Sequence, residues 1–376
     1  MTEIYLIRHA QAEGNRFRVL QGHWDGGVTA QGRQQIELLG ARLRDTHFDA
    51  VYSSDLYRAR LTASTIGKSH GLPLQTSPAL REINVGPWEG LFFANVLHDE
   101  PGSAELFLRD SAHWQHEGAE TFAQVAERAY PALEAIARRH EGGRTAVVSH
   151  GVTIRCLLAK IAGADLRDRE QIPIVQNTAI NVLRWEAGRW ETALLNDVAH
   201  LAPLAQRPWG SSPSLRHEPL DPQTGRDFYI SCYRDAWKTA HGDLMGFFPD
   251  FYWDAALAHL RADPGSVLRL LDGDEPVGLV DMDPERGAHA SYGWLSLLYL
   301  LPERRGQGLA IQALARAIVR FRQLGRRSLR LVVAEENLQA RAFYAREGFR
   351  VLSREPGSHG DLLLLERRLA ERRDDL

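Results

Sequence analysis

Along the first half of the chain, short apolar runs alternate with stretches whose apolar residues recur every three or four positions. Ile4-Tyr-Leu-Ile7 is a tight apolar run of the kind carried by a parallel strand buried on both faces. In residues 29–46, Ile36, Leu39 and Leu43 share one helical face, and Thr29 suits the cap. Residues 49–54 predict a short strand and residues 56–70 a helix, stopped by Gly71 and Pro73. Thr121-Phe-Ala-Gln124 is a capping box that opens a helix running to Arg139. Phe122, Val125, Ala129 and Ile136 keep its spacing, and Pro131 is expected to kink it. Residues 145–149 read as a second buried strand, with a helix following from about Val152. Strand–helix alternation of this kind predicts an α/β domain with a mostly parallel sheet.

A stretch rich in Pro, Gly and Ser interrupts the pattern, and residues 206–213 are assigned as a linker. The pattern then restarts. Two helices, near 226–240 and 250–262, precede hairpin-like strands from 266 to 301. A long helix with Leu314, Ile318, Phe321 and Leu324 on one face follows, and Gly325 stops it. A strand, a short helix and two final strands complete the chain. The domains expected are therefore 1–205 and 214–376, which suits a chain of 376 residues.

Composition narrows the class. A hydrophobic fraction of 44% and a charged fraction of 25% describe an ordinary globular chain. The net charge of −3, with basic and acidic residues interspersed, gives no reason to expect nucleic acid or an anionic membrane as a partner. The longest apolar stretch, 295–301, is strand-sized rather than membrane-spanning, and the first residues carry no export signal. Two cysteines, Cys156 and Cys232, fall in different domains, so no disulfide is expected and a reducing, cytoplasmic setting fits.

Chemistry enters where apolar runs end. Arg8-His9 follows the first strand, and in open α/β sheets ligands bind beyond the carboxyl ends of the strands. The dipeptide alone carries no weight, since composition predicts about two copies and three occur. Arg139-His140 ends a helix, where cations suit the dipole. Context singles out Arg8-His9, and likewise the copy of Ser-His-Gly at 149–151, the one of three that ends a buried strand. Two strand-end histidines with arginines suit phosphoryl transfer. Guanidinium forks match phosphate oxygens, and a neutral imidazole attacks phosphorus without a separate base. A carboxyl must then protonate the departing alkoxide; Glu82 is chosen, with Glu89 and Glu120 in equally suitable loops.

The ordered set Leu6-Ile-Arg-His9, Ser54-Asp-Leu-Tyr-Arg58, Leu80-Arg-Glu-Ile83, Gly86-Pro-Trp-Glu-Gly90 and Val148-Ser-His-Gly151 resembles the histidine phosphatase (phosphoglycerate mutase-like) superfamily over about residues 1–205. The resemblance implies a three-layer α/β/α sandwich. It implies His9 as phosphohistidine nucleophile, Arg8, Arg58, Asn15 and His150 around the phosphate, and Glu82 as proton donor. The usual Arg-His-Gly is Arg8-His9-Ala10 here, which matters only if position 10 needs positive φ. The segment between Trp88 and Thr121 is short for a mutase lid, which favours a phosphatase over an isomerase.

In the second half, Arg305-Gly-Gln-Gly-Leu-Ala310 sits between a strand and a helix, where backbone N–H groups form an anion nest. Its spacing matches neither the dinucleotide nor the P-loop pattern. With the strand–helix–strand segment 331–349 it resembles the GNAT acetyltransferase superfamily over about residues 214–370, an α+β fold with a mixed, largely antiparallel sheet. That resemblance implies acetyl-CoA, with its pyrophosphate on the amides of Arg305, Gly306, Gln307, Gly308, Leu309 and Ala310. It implies backbone contacts from Leu298 to Leu300, a cofactor or water contact from Asn337, and Tyr344 as donor to the departing thiolate. Glu335, Glu336, Asp281 and His289 stand undistinguished as general bases, and a water relay stays open. The aromatic residues Trp237, Phe247, Phe248, Tyr252 and Trp253 read as core and pocket wall. The whole reads as a bifunctional enzyme acting on small-molecule phosphate esters and amines, with no metal expected and homo-oligomerisation left open. A mutase fused to an acetyltransferase, or a regulatory modifier of proteins, are the alternatives.

Overall fold

The computed structural model describes residues 1–167, 172–204, 213–357 and 360–369. The chain divides into two compact units, one built on Met1–Arg207 and one on Pro208–Arg372. The assigned linker lies, through residue 212, outside the described residues.

The first unit runs β1 (Thr2–Arg8), α1 (Glu13–Phe17), α2 (Ala30–Leu43), β2 (Ala50–Ser53), α3 (Tyr57–His70), β3 (Leu74–Thr76), α4 (Phe93–Asp99), α5 (Pro101–Arg109), α6 (Phe122–Arg139), β4 (Arg144–Ser149), α7 (Gly151–Ala162), β5 (Ile180–Glu186) and β6 (Arg189–Asp197). Its six-stranded sheet has the order β3-β2-β4-β1-β5-β6. The first four of these strands are parallel, and β5 and β6 add an antiparallel hairpin at the edge. Ile4, Leu6 and Val147 bury one face of the sheet against Leu133 of α6 and Leu157 of α7. Ile7, Val51 and Val148 bury the other against Leu39 of α2 and Ile66 of α3. The alternation of strand side chains thus yields the three layers expected.

Local signals act as read. Thr29 Oγ1 accepts from Gly32 N at 3.0 Å, and Gly71 ends α3 with φ of 66°. Both bonds of the capping box form, Gln124 N to Thr121 Oγ1 at 3.2 Å and Thr121 N to Gln124 Oε1 at 2.8 Å. Pro131 lies inside α6, which continues past it to Arg139.

The second unit runs β7 (Arg216–Pro219), α8 (Arg226–His241), α9 (Pro249–Ala262), β8 (Val267–Asp272), β9 (Glu275–Asp283), β10 (Tyr292–Leu300), α10 (Ala310–Gln323), β11 (Ser328–Ala334), α11 (Leu338–Arg346), β12 (Arg350–Gly357) and β13 (Gly360–Arg368). Its sheet has the order β12-β13-β11-β10-β9-β8-β7. Every neighbouring pair is antiparallel except β10 with β11. That parallel pairing lasts only from Tyr292↔Ser328 to Trp294↔Arg330. From Leu295 onward β10 keeps β9 as its partner and parts from β11, with a register shift at Ser296. Gly293 permits α10 to press on the sheet, since a Cβ there would stand 2.2 Å from Phe321 Cγ. Tyr229 and Ile230 of α8 and Trp253 and Leu260 of α9 pack with Val267, Leu279 and Tyr299 of the sheet.

Candidate active sites

The ladder of β1 on β4 assembles the first site. Arg8 pairs with Ser149, so the next residues on each strand, His9 and His150, emerge side by side. Their ring centroids stand 5.0 Å apart at 55°, and both side chains are buried. His9 N donates to Ser149 O at 2.9 Å, and Thr178 N donates to Arg8 O at 3.1 Å, which fixes the end of β1.

Hydrogen bonding sets the protonation of His9. Its Nδ1 lies 2.7 Å from Ala10 O. A carbonyl can only accept, so Nδ1 carries the hydrogen and the lone pair of the neutral ring falls on Nε2. Burial, joined by the charges of Arg58 and Arg8, holds His9 well below its usual protonation range. Burial does the same to His150, joined by the charge of Arg58, by the repulsion a protonated His9 would exert, and by the charge of Arg8. Both rings are therefore neutral near pH 7.

Arg8 and Arg58 approach as donors held from behind. Arg8 Nη1 donates to Val175 O at 2.6 Å. Arg58 is fully buried; its Nη2 donates to Gly22 O at 2.7 Å and Gln21 O at 2.9 Å, and its Nη1 to Trp24 O at 3.1 Å and, at 3.4 Å, to Asp25. Their Nε atoms and both ring nitrogens of His150 are buried without a partner among the described residues. Buried polar atoms in native folds are normally satisfied, so a cluster of orphans beside two guanidinium groups suits an anion. Burial lowers Arg8 to about 10, against the raising effect of the Glu82 carboxylate and with the lowering effect of Arg58. Gly151 opens the space for Arg8, whose Nε would stand 3.3 Å from a Cβ at that position.

Glu82 sits at the start of α7, whose cap residue is His150. Its Oε1 accepts from Thr153 N and Ile83 N at 3.1 Å and from Thr153 Oγ1 at 3.2 Å, while Oε2 accepts only from Val152 N at 3.2 Å. One oxygen thus keeps free acceptor capacity. The rival carboxylates bond to other segments. Glu89 accepts from the amides of Trp24 at 2.6 Å, His23 at 2.8 Å and Val85 at 3.1 Å. Glu120 is forked by Arg128 at 2.7 and 3.0 Å and accepts from Asn84 N at 2.8 Å. Asn15 closes the first turn of α1, accepting from Ala12 N at 3.0 Å, and lies 3.4 Å from Asn177 Nδ2. Ala10 is not among the described residues with positive φ, so its departure from glycine carries no strain.

Several positioning residues went unread in the sequence. Asn177 Nδ2 donates to His9 O at 2.9 Å, and Thr178 holds a φ of 56° to bring its amide onto Arg8. The polar triplet Gln176-Asn-Thr178 before a strand was the available turn signal. Thr62 Oγ1 accepts from Ala10 N at 3.0 Å and donates to Arg58 O at 2.8 Å, coupling two site residues. Arg128 supports the Glu82 loop, donating to Glu82 O at 2.9 Å. A cavity of about 480 Å³ lies beside it, bounded by Asn84, Gly118, Glu120, Gln124 and Arg128. Among the described residues no group of three or more His, Cys, Asp or Glu could hold a metal ion.

In the second unit, the departure of β10 from β11 leaves one backbone edge of β10 beyond Trp294 without a strand partner. Leu298 and Leu300 lie on that stretch, and Arg305 Nε donates to Leu300 O at 2.9 Å. Gly306 and Gly308 hold φ of 75° and 78° just before α10. The N–H groups of Gly306, Gly308, Leu309 and Ala310 donate to no other described backbone group. Gln307 Nε2 donates to Glu303 O at 2.9 Å. Extended edge, glycine loop and helix start together fit a long, phosphate-bearing cofactor.

Tyr344 on α11 is 8% exposed, and burial raises its phenol, keeping it protonated and able to donate. Asn337 caps α11, its Oδ1 accepting from Ala340 N at 3.0 Å. Of the four undistinguished bases, Glu335 is paired with Arg354, while Glu336 and His289 are exposed. Asp281 is buried, with Tyr229 and His259 on its oxygens. Cys156 and Cys232 are buried free thiols, each pushed up to about 12 by burial.

Comparison with known proteins follows the same division. The histidine phosphatase superfamily (branch 1) model matches residues 4–198, and the acetyltransferase (GNAT) family model matches residues 224–349. A curated relative, probable phosphoglycerate mutase GpmB of Salmonella choleraesuis (strain SC-B67), is 29% identical over 205 residues, covering 54% of this chain and 95% of its own length. Among solved structures, Bacillus stearothermophilus YhfR is 31% identical with a TM-score of 0.51, covering 54% of this chain and 100% of its own. A mycobacterial glucosyl-3-phosphoglycerate phosphatase is 28% identical with a TM-score of 0.48, covering 52% and 98%. No helix among the described residues is long and apolar enough to cross a membrane.

Proposed function

The chain belongs to the histidine phosphatase superfamily and carries a GNAT acetyltransferase domain after it, and from that premise we propose a bifunctional enzyme that hydrolyses a phosphomonoester through His9 and transfers an acetyl group to an amine. The observation that carries the first half is the pair of buried neutral imidazoles, 5.0 Å apart, beside the buried Arg58 and the half-buried Arg8. His9 Nε2 attacks phosphorus, and the bond to the departing alkoxide oxygen breaks as the phosphohistidine forms. Arg8, Arg58 and His150 donate to the transferring oxygens, with Asn15 at the rim. Glu82 gives the alkoxide its proton, then takes one from the water that releases phosphate. What supports Glu82 is its place at the start of α7, whose cap is His150, and the forking of Glu120 by Arg128.

In the second half, acetyl-CoA supplies an acyl thioester. The residues that would hold it are Leu298 and Leu300 on the open edge of β10 and the amides of Gly306 to Ala310 before α10, where Gly306 and Gly308 hold positive φ; the amide of Arg305 instead donates to Pro302 O at 3.2 Å. Asn337, the cap of α11, is assigned a contact to the cofactor or to an ordered water. Tyr344 holds a proton at its hydroxyl for the departing sulfur.

The economical substrate reading is one small metabolite, an amine that also carries a phosphate, dephosphorylated and N-acetylated in consecutive steps; covalent linkage raises the local concentration of one domain near the other. The name of the GpmB relative favours a second reading for the first unit, transfer of phosphate between positions of one molecule. The test uses the full chain. Para-nitrophenyl phosphate hydrolysis is expected to vanish in His9→Ala and persist in Arg139→Ala; equal activity in the two ends the assignment. Release of inorganic phosphate from 3-phosphoglycerate, rather than positional exchange, separates phosphatase from mutase. A panel of phosphorylated amines and their dephosphorylated forms tests the shared metabolite, and no compound serving both domains would end that part.

A further inference from the structure

A network beneath α8 and α9 bears on two things the acetyl-transfer half still needs, a proton acceptor and a class of acceptor substrate. Asp281 of β9 is 1% exposed. Its Oδ2 accepts from the Tyr229 hydroxyl at 2.8 Å, and its Oδ1 lies 2.7 Å from His259 Nδ1. A carboxylate only accepts, so His259 Nδ1 carries a hydrogen and Nε2 is the nitrogen that gains or loses the exchangeable proton. Nε2 faces Asp283 Oδ2 at 3.4 Å, too far for a good hydrogen bond. Burial opposes the charged form of His259, but the hydrogen bond to Asp281 and the charges of Asp281 and Asp283 outweigh it and raise its pKa.

The network lies where β10 opens. Asp281 is the cross-strand partner of Leu297, immediately after the register shift at Ser296 and past the last rung with β11. Tyr233 joins the two features: its ring lies 5.4 Å from that of Tyr229, and its hydroxyl is 3.5 Å from Ser296 O. From Tyr233 an aromatic column leads outward. Tyr252 stacks on it at 4.3 Å, and Phe247 stacks on Tyr252 at 5.5 Å. The outer end is apolar and wet: Phe251, 5.4 Å from Tyr252, and Phe248 are each 68% exposed, and Met245 is 72% exposed. Large apolar side chains gathered in water mark a binding surface. Here they continue into rings that end on carboxylates and an imidazole. A molecule with an apolar tail and a cationic head is complementary to both ends.

Resting on the acetyltransferase reading above, we infer that the acetyl acceptor is a primary amine with an aromatic or other apolar tail, and that His259, positioned by Asp281, takes the proton its nitrogen loses. The bound ammonium head first gives one proton to solvent; the lone pair so exposed forms the N–C bond to the thioester carbonyl carbon, and the C–S bond breaks with its electrons on sulfur. The amine proton passes to His259 Nε2, and the Tyr344 hydroxyl protonates the thiolate. Solvent then returns the proton from His259 to the Tyr344 phenolate, leaving the amide and the free thiol.

The probes are 2-phenylethylamine and the similarly basic but polar ethanolamine, on the full chain. Calorimetry without acetyl-CoA is expected to give 2-phenylethylamine about tenfold tighter binding than ethanolamine, as burial of one apolar group confers. Phe248→Ser with Phe251→Ser brings the two amines level. Thiol release from acetyl-CoA follows the same preference. His259→Gln lowers kcat for 2-phenylethylamine by about a hundredfold or more and removes the rise of rate with pH, with acetyl-CoA affinity unchanged by calorimetry. Asp281→Asn shifts that rise to lower pH, an effect that loss of packing alone would not produce; Asp283 and the Tyr229 hydroxyl are the other groups facing the pair. Equal binding of the two amines, or a His259→Gln variant that keeps the pH dependence, overturns the inference while acetyl-CoA binding stands. Failure of acetyl-CoA to bind at all overturns the underlying reading and this one with it.

Discussion

Gly151→Ala separates what α7 needs from what the phosphate pocket needs. Gly151 is the first residue of α7 and does not hold a positive φ, so alanine suits its backbone. On helix grounds the change should raise stability by about 0.4–1 kcal/mol, mostly by restricting the unfolded chain. The new Cβ would stand 3.3 Å from Arg8 Nε, 3.4 Å from Cζ and 3.7 Å from Nη2. The first contact is tighter than carbon and nitrogen ordinarily allow, so the guanidinium must retreat by a few tenths of an ångström. It has little slack, because Nη1 is tethered to Val175 O at 2.6 Å. Stretching that charged hydrogen bond forfeits part of roughly 1.5–3 kcal/mol, so the net change in stability should fall near zero. Activity has no such compensation. A misplacement approaching 1 Å costs up to about a hundredfold, and a smaller shift of one of two arginines should lower kcat/KM for para-nitrophenyl phosphate by about ten- to fiftyfold. The assay pairs that measurement with a thermal melt of the same preparation. Wild-type kcat/KM would refute the placement of Arg8 against the substrate phosphate. Loss of both activity and melting temperature would refute the claim that only the pocket is crowded.

Other outcomes follow from the same geometry. His9 and His150 are neutral when folded and would take up protons when unfolded, so the stability linked to them is complete above about pH 6.5 and falls as pH drops below it, by up to about 1.4 kcal/mol per pH unit for each. Urea midpoints at pH 7.5 and 5.5 check this: the His9→Asn, His150→Asn double variant should lose less on acidification than the wild type, and an equal loss would contradict it. Glu89→Ala strands three amides and should destabilise by roughly 2–3 kcal/mol, read as a lower denaturant midpoint. Tyr344→Phe should lower acetyl transfer about a hundredfold while calorimetry finds acetyl-CoA affinity unchanged.

What could be read in advance was local. Thr121 and Gln124 announce a helix start because both partners of the cap lie within four residues. Arg8-His9 stands out because it breaks an apolar run. The residues that hold the pocket rigid gave no such sign. Asn177 lies 168 positions from His9, and its role depends on Thr178 adopting a left-handed turn that its residue type disfavours. Glu89 and Glu82 look alike in sequence, and only the fold decides that Glu82 accepts from the first amides of α7 while Glu89 accepts from those of His23, Trp24 and Val85. The β5–β6 hairpin and helices α4 and α5 went unassigned, since edge strands and short helices lean on tertiary packing rather than on a strong period of their own. In the second unit Asp281 was one of four equal candidates, and His259 was not among them. Their pairing joins α9 to β9, a contact between elements that no spacing encodes.

The single rung that sets Arg8 against Ser149 reaches beyond this pocket. In the first unit Arg8, His9 and His150 stand at the ends of central strands, while a separate cavity is bounded by Asn84, Gly118, Glu120, Gln124 and Arg128. On the proposed function, the phosphate-handling side chains and that cavity therefore belong to different segments of the chain. Exchanging the segments around that cavity should leave the neutral state of His9 and His150 unchanged, since burial and the two arginines set it.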